Sequence, residues 1–104
     1  MDLITGGLYQ GQEEYIKENY ESCLDLLDFV RELLFEGKNE DEIIECVLDK
    51  NSDAVLAIEI GAGLIPVDSF ERNLREVYGR CSCEVAKKAD RVIKFTCGIK
   101  TYIK

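Results

Sequence analysis

Near the start of this 104-residue chain, Gly6 and Gly11 stand five positions apart and are followed directly by Gln12 and Glu13. That is the glycine frame of the phosphate loop G-x-x-x-x-G-K-[ST], with Gly7 inside it. In such a loop, backbone N–H groups and a helix N-terminus cradle the phosphates. The lysine neutralises the outer phosphates and the hydroxyl holds magnesium. Here an amide, Gln12, occupies the lysine place, and a carboxylate, Glu13, occupies the hydroxyl place. The backbone chemistry of anion binding is retained on paper, whereas the cation and the metal-binding hydroxyl are both gone.

A second candidate lies at Glu59, which closes an apolar run and is followed by Gly61 and Gly63. The carboxyl end of a strand in an open α/β sheet is where ligand or metal groups are presented. Glycines beside such a strand permit a close backbone approach. Gly6, Gly7, Gly11, Gln12, Glu13, Glu59 and Gly61 therefore form the candidate binding set, with GTP or ATP and Mg2+ as the candidate ligand, held weakly. The plain alternative is a tight strand-to-helix turn at the glycines and a capping or inter-subunit carboxylate at Glu59. Arg72, Arg75 and Arg80 are candidates for contact with an anion or an acidic neighbouring subunit, or are ordinary solvated helix residues. No nucleophile and base pair is evident, so no catalytic residue is assigned.

These residues need elements to position them. Asp2 to Thr5 reads as a short strand ending at Gly6-Gly7, with a polar helix from about Gly11. From Ser22 the apolar residues Cys23, Leu26, Leu27, Val30, Leu33 and Leu34 recur at helical spacing, and Gly37 stops them. Asn39 with Glu42 predicts a capping box opening a second amphipathic helix that ends near Lys50. Asp53 to Ile60 is nearly continuous in apolar residues, as in a strand buried on both faces of a parallel sheet. Asp68 with Glu71 predicts another capping box, opening a long helix whose core stripe is Phe70, Leu74, Val77, Cys81 and Val85. Arg91 to Thr96 reads as a strand, and Gly98 turns the chain toward Ile99 to Ile103. Together these predict one α/β domain over residues 1–104, a small three-layer fold with a mostly parallel sheet.

Composition sets the outer limits. With 46% hydrophobic and 33% charged residues, the chain reads as a globular domain. No apolar run reaches the roughly 20 residues needed to span a bilayer, and no basic leader precedes one, so the expectation is a cytoplasmic protein with no membrane partner. Five cysteines without CxxC pairing, and no histidine at all, argue for reduced, mostly core-packed thiols rather than a zinc site. The net charge of −8 is uneven: 16 acidic and 4 basic side chains up to Pro66, then 5 acidic and 9 basic, or −12 followed by +4. The acidic balance argues against nucleic acid as a partner. The asymmetry itself suits solvated helix faces or head-to-tail contact between subunits.

Residues 54–104, with Glu59-Ile60-Gly61-Ala62-Gly63-Leu64-Ile65-Pro66, Arg72, Arg75, Gly79-Arg80, Ala89-Asp90 and the tail Cys97-Gly98-Ile99-Lys100-Thr101-Tyr102-Ile103-Lys104, resemble the C-terminal half of the adenosylcobinamide kinase/adenosylcobinamide-phosphate guanylyltransferase family of cobalamin biosynthesis. Residues 3–11 are similar to that family's opening. The resemblance implies a P-loop-NTPase-like, RecA-like domain, a GTP or ATP ligand and an oligomer. The departures are specific. The family's loop has lysine and serine where Gln12 and Glu13 stand, and its guanylyl transfer runs through a nucleophilic histidine that this chain lacks. Guanylyl transfer is therefore excluded on residue inventory, and the kinase step lacks its principal cation. The resemblance then implies a truncated, degenerate member that binds a nucleotide or a partner without catalysis. The alternatives are a narrower metal-dependent phosphotransferase or hydrolase using Glu13 and Glu59, or a structural subunit of a complete cobalamin-biosynthesis enzyme.

Overall fold

The computed structural model describes residues 1–8, 10–50, 52–59 and 68–104. In chain order the elements are β1 (Asp2–Gly6), α1 (Gln12–Asn19), β2 (Cys23–Asp25), α2 (Leu26–Phe35), α3 (Glu40–Asp49), β3 (Ala54–Ile58), α4 (Ser69–Lys88), β4 (Arg91–Thr96) and β5 (Ile99–Tyr102). The strands form one sheet in the order β2-β3-β1-β4-β5. The first four are mutually parallel, and β5 returns antiparallel beside β4. The fold is thus α/β with a mostly parallel five-stranded sheet.

Alternation along the central strands sorts the core into two layers. Leu3, Val55, Ala57 and Val92 face α2, α3 and α4, whereas Ile4, Ala54, Leu56, Ile93 and Phe95 face α1. Helices therefore cover both faces, three on one and one on the other, as the three-layer expectation required. In β3, residues Ala54 to Ala57 are all buried, because β3 has neighbours on both edges and packing on both faces.

Two elements differ from the expectation. The helical spacing read from Cys23 onward runs through a three-residue strand, β2, which pairs parallel with Ala54 to Leu56. Asp25 then caps α2, accepting the backbone N–H of Asp28. Cys23 is exposed and stands outside the helix's buried face of Leu26, Val30 and Leu33. At α4 the Asp68 side chain accepts from the Phe70 N–H at 2.8 Å, while Glu71, instead of closing a capping box, pairs with Arg31 of α2 at 2.7 Å. The capping box between Asn39 and Glu42 forms as expected.

The α4 stripe is buried at Leu74, Val77, Cys81 and Val85, joined by Tyr78, which the spacing had not singled out. The Tyr78 hydroxyl donates to the Ile58 carbonyl at 2.7 Å, so it fastens the helix to the end of β3. Phe70 is only half-buried and meets Phe35 edge-on. The thiols also depart from the expectation of core packing. Cys81 is buried, and its pKa is pushed up to about 11 by that burial, but Cys23, Cys83 and Cys97 are exposed and Cys46 is half-buried. No helix among the described residues is long and apolar enough to cross a membrane.

Candidate functional site

The chain leaves β1 toward α1 on one face of the sheet and leaves β3 toward α4 on the other. Since β1 and β3 are adjacent, their carboxyl ends form the switch point at which open α/β sheets bind ligands. The glycine loop and Glu59 both lie there, and Glu59 donates its backbone N–H to the Gly6 carbonyl at 2.9 Å. Gly61 lies outside the described residues, as does the whole stretch from Ile60 to Val67.

The glycines of the loop are not equivalent. Gly6 has φ +132, and a Cβ there would stand 2.4 Å from the Phe95 carbonyl oxygen, so both the backbone angle and the packing require glycine. Gly11, with φ +101, is the N-cap of α1 in a left-handed conformation. Gly7 has no such angle, and the nearest atom to an added Cβ is Gln10 Cγ at 3.8 Å. The frame of the loop thus rests on Gly6 and Gly11, the two glycines of the motif.

The residue in the lysine place turns inward. Gln12 is 2% exposed. Its Nε2 donates to the Gly7 carbonyl at 2.8 Å, and its Oε1 accepts the Gln10 backbone N–H at 3.1 Å. The glutamine amide therefore ties the loop across its own mouth. It consumes one of the N–H groups a phosphate oxygen would need, and it holds the Gly7 carbonyl turned toward the loop interior. Gln10 extends the closure: its Nε2 donates to the Leu8 carbonyl at 3.0 Å, and its Oε1 accepts from the backbone N–H of Cys97, in the turn between β4 and β5. Sequence reasoning missed Gln10. Its only signal was a second long amide in a glycine-rich turn.

On one side of the loop the lining charges are of one sign. A cavity of about 480 Å³ opens beside it, with Gly11, Gln12 and Leu56 in its wall and four carboxylates, Glu13, Glu14, Asp25 and Asp28, around it. Among the described residues no lysine or arginine lines it. Burial, then repulsion from Asp28 and Glu13, raises the Asp25 carboxyl above its usual range despite its capping hydrogen bonds. Glu13 and Glu14 are exposed in the first turn of α1, where they meet the positive end of the helix dipole that would otherwise favour a bound anion. Glu59 belongs to a different wall: it pairs with Lys94 at 3.2 Å and lines a groove of about 580 Å³ on the α4 side, with Arg75, Tyr78 and Ser82. Neither cavity holds both Glu13 and Glu59. Among the described residues no group of three or more acidic or thiol side chains is arranged to hold a metal.

The arginines divide similarly. Arg80 pairs with Glu40 at the start of α3, at 2.7 Å. Arg75 is half-buried in the groove wall, and Arg72 is exposed in the first turn of α4. The acidic and basic portions of the chain meet internally: Arg80 with Glu40, Arg91 with Asp2 and Lys94 with Glu59 each join a base from the second portion to an acid from the first. No family model matches this chain, and no curated protein is detectably similar to it.

Proposed function

We propose that this chain is a degenerate, P-loop-like relative of the adenosylcobinamide kinase/guanylyltransferase family that acts as a non-catalytic binding module. Its partners would be further copies of itself or a complete cobalamin-biosynthesis enzyme, with GTP or ATP and Mg2+ bound weakly at most. One observation carries the reading: the buried Gln12 amide that ties the loop between Gly7 and Gln10. A phosphate entering there must displace two hydrogen bonds and face carboxylates without an opposing cation. The alternative of a metal-nucleotide enzyme using Glu13 and Glu59 is less well supported, because those carboxylates line separate cavities and Glu59 is already paired with Lys94.

Titration calorimetry with GTP and ATP, with and without Mg2+, tests this. Loss of a charge-assisted lysine contact removes roughly 1.5 to 3 kcal/mol, a tenfold to hundredfold loss, so affinity should be no better than high micromolar. The double variant Gln12→Lys, Glu13→Ser should bind more tightly, since it removes the tie and restores the cation and hydroxyl. Tight, magnesium-dependent binding by the unmodified chain would refute the closed-loop reading. A covalent adduct with labelled GTP on denaturing electrophoresis would refute the exclusion of guanylyl transfer.

A further inference from the structure

Of the exposed large apolar side chains, Leu8 lies in the glycine loop after β1, and the others sit at opposite edges of the sheet. At one edge, the β4–β5 hairpin exposes Ile99 (69%), Tyr102 and Ile103, with Lys100 among them, while the Lys104 ammonium turns to the Ala86 and Lys87 carbonyls of α4. Among the described residues β5 is paired on one side only, by β4, and all four of its residues are exposed. At the other edge, α2 packs over β2 and β3 and exposes Phe35 (83%) beside Phe70, in a shallow cavity whose acidic lining is Asp28, Glu32 and Glu36. Arg31, the one cation among the described residues of that lining, is held by Glu71 at 2.7 Å. One edge is thus apolar and basic, the other apolar and acidic.

We propose that the hairpin edge of one copy docks on the Phe35 face of the next, in a heterologous contact of this chain with itself. Charge selects this geometry. Two hairpin edges placed together would set Lys100 against its own copy, and a lysine on an edge strand opposes such pairing. Two Phe35 faces placed together would confront Asp28, Glu32 and Glu36 with themselves. Only the head-to-tail arrangement covers both apolar patches while opposite signs meet. Repetition of a heterologous contact builds a ring or an open chain of subunits. The inference rests on the partner-binding half of the function proposed above. It is read by mass rather than by nucleotide affinity, so either can fail without the other.

The experiment is light scattering on the full chain and on variants of each edge. Phe35→Lys alters the acidic face, and Ile99→Asp and Ile103→Glu alter the hairpin at two separate positions. All three residues are solvent-exposed, and unchanged circular dichroism confirms the fold. The unmodified chain at tens of micromolar should exceed the monomer mass and dissociate as salt rises from about 0.05 to 0.5 M. Each variant alone should associate at least about tenfold more weakly. Mixing Phe35→Lys with either hairpin variant should yield a one-to-one dimer, because each supplies the edge that the other lacks. A monomeric unmodified chain at low salt, a Phe35→Lys variant of undiminished mass, or a mixture that stays monomeric would each overturn the proposal.

Discussion

Gln12 and Gly6 together make the loop after β1 a self-satisfied turn. The backbone at Gly6 is forced by its approach to Phe95, and the space the turn encloses is bridged by an amide able to donate and accept at once. Lysine has no acceptor and could not make the same two bonds, so the closure depends on an amide at position 12. It follows that Gly6→Ala should cost roughly 1 to 3 kcal/mol for the positive φ alone, with the clash at Phe95 added. Gly7→Ala should stay within about 0.5 kcal/mol. Denaturant unfolding of the two variants separates them, and equal losses would mean that the loop is held differently. The departures from the phosphate-loop pattern at positions 12 and 13 were legible in the sequence, as were the three glycines. That Gln12 turns inward was not, because the direction of a long side chain depends on carbonyls that only the folded turn brings within reach.

At the scale of elements, sequence patterns worked where they were long. The α4 stripe spans several turns, and four of its five expected positions are buried; the fifth, Phe70, lies in the first turn, where the helix end leaves the core. β2 was not legible, because three residues are too few to establish a period of two, and the spacing from Cys23 to Leu26 mimics a helix step. What defines β2 is pairing with β3, a contact some thirty residues away in sequence. The same logic predicts Leu74→Ala to cost about 2 to 5 kcal/mol, since Leu74 is fully enclosed between α4 and the sheet. The exposed Arg72, two positions before it, should tolerate alanine within about 0.5 kcal/mol. Small, equal losses in both variants would place α4 in a different rotation about its axis.

For the molecule as a whole, the start of β1 is fastened to the start of β4 at the amino edge of the sheet, on the opposite side from the glycine loop. Asp2 is 5% exposed and accepts hydrogen bonds from the Tyr20 hydroxyl at 2.6 Å and from Arg91 Nη2 at 2.7 Å, while the Met1 ammonium pairs with Asp90. Burial alone would raise the Asp2 carboxyl, but the hydrogen bonds from Arg91 and Tyr20 and the nearby cations outweigh it, and its pKa falls below 3.8. A carboxyl more acidic in the folded chain than in the unfolded one stabilises the fold above the unfolded pKa. That contribution is lost as pH falls through 3.8 toward the folded value. Asp25 works in the opposite sense. Its raised pKa makes the folded chain take up a proton first, so acidification relieves its penalty. Asp2→Asn should therefore cost about 1 to 2 kcal/mol at neutral pH, moderated because the Arg91 side chain is half exposed and screened. The gap between the variant and the unmodified chain should close as pH drops below 3.8, whereas Asp25→Asn, which keeps a capping side chain, should remove the opposing relief. Chemical denaturation of the three proteins across pH 2 to 7 would show it. A gap for Asp2→Asn that stays constant over that range would mean that packing at Tyr20, rather than the charge shared with Arg91, holds the start of β1 to the start of β4.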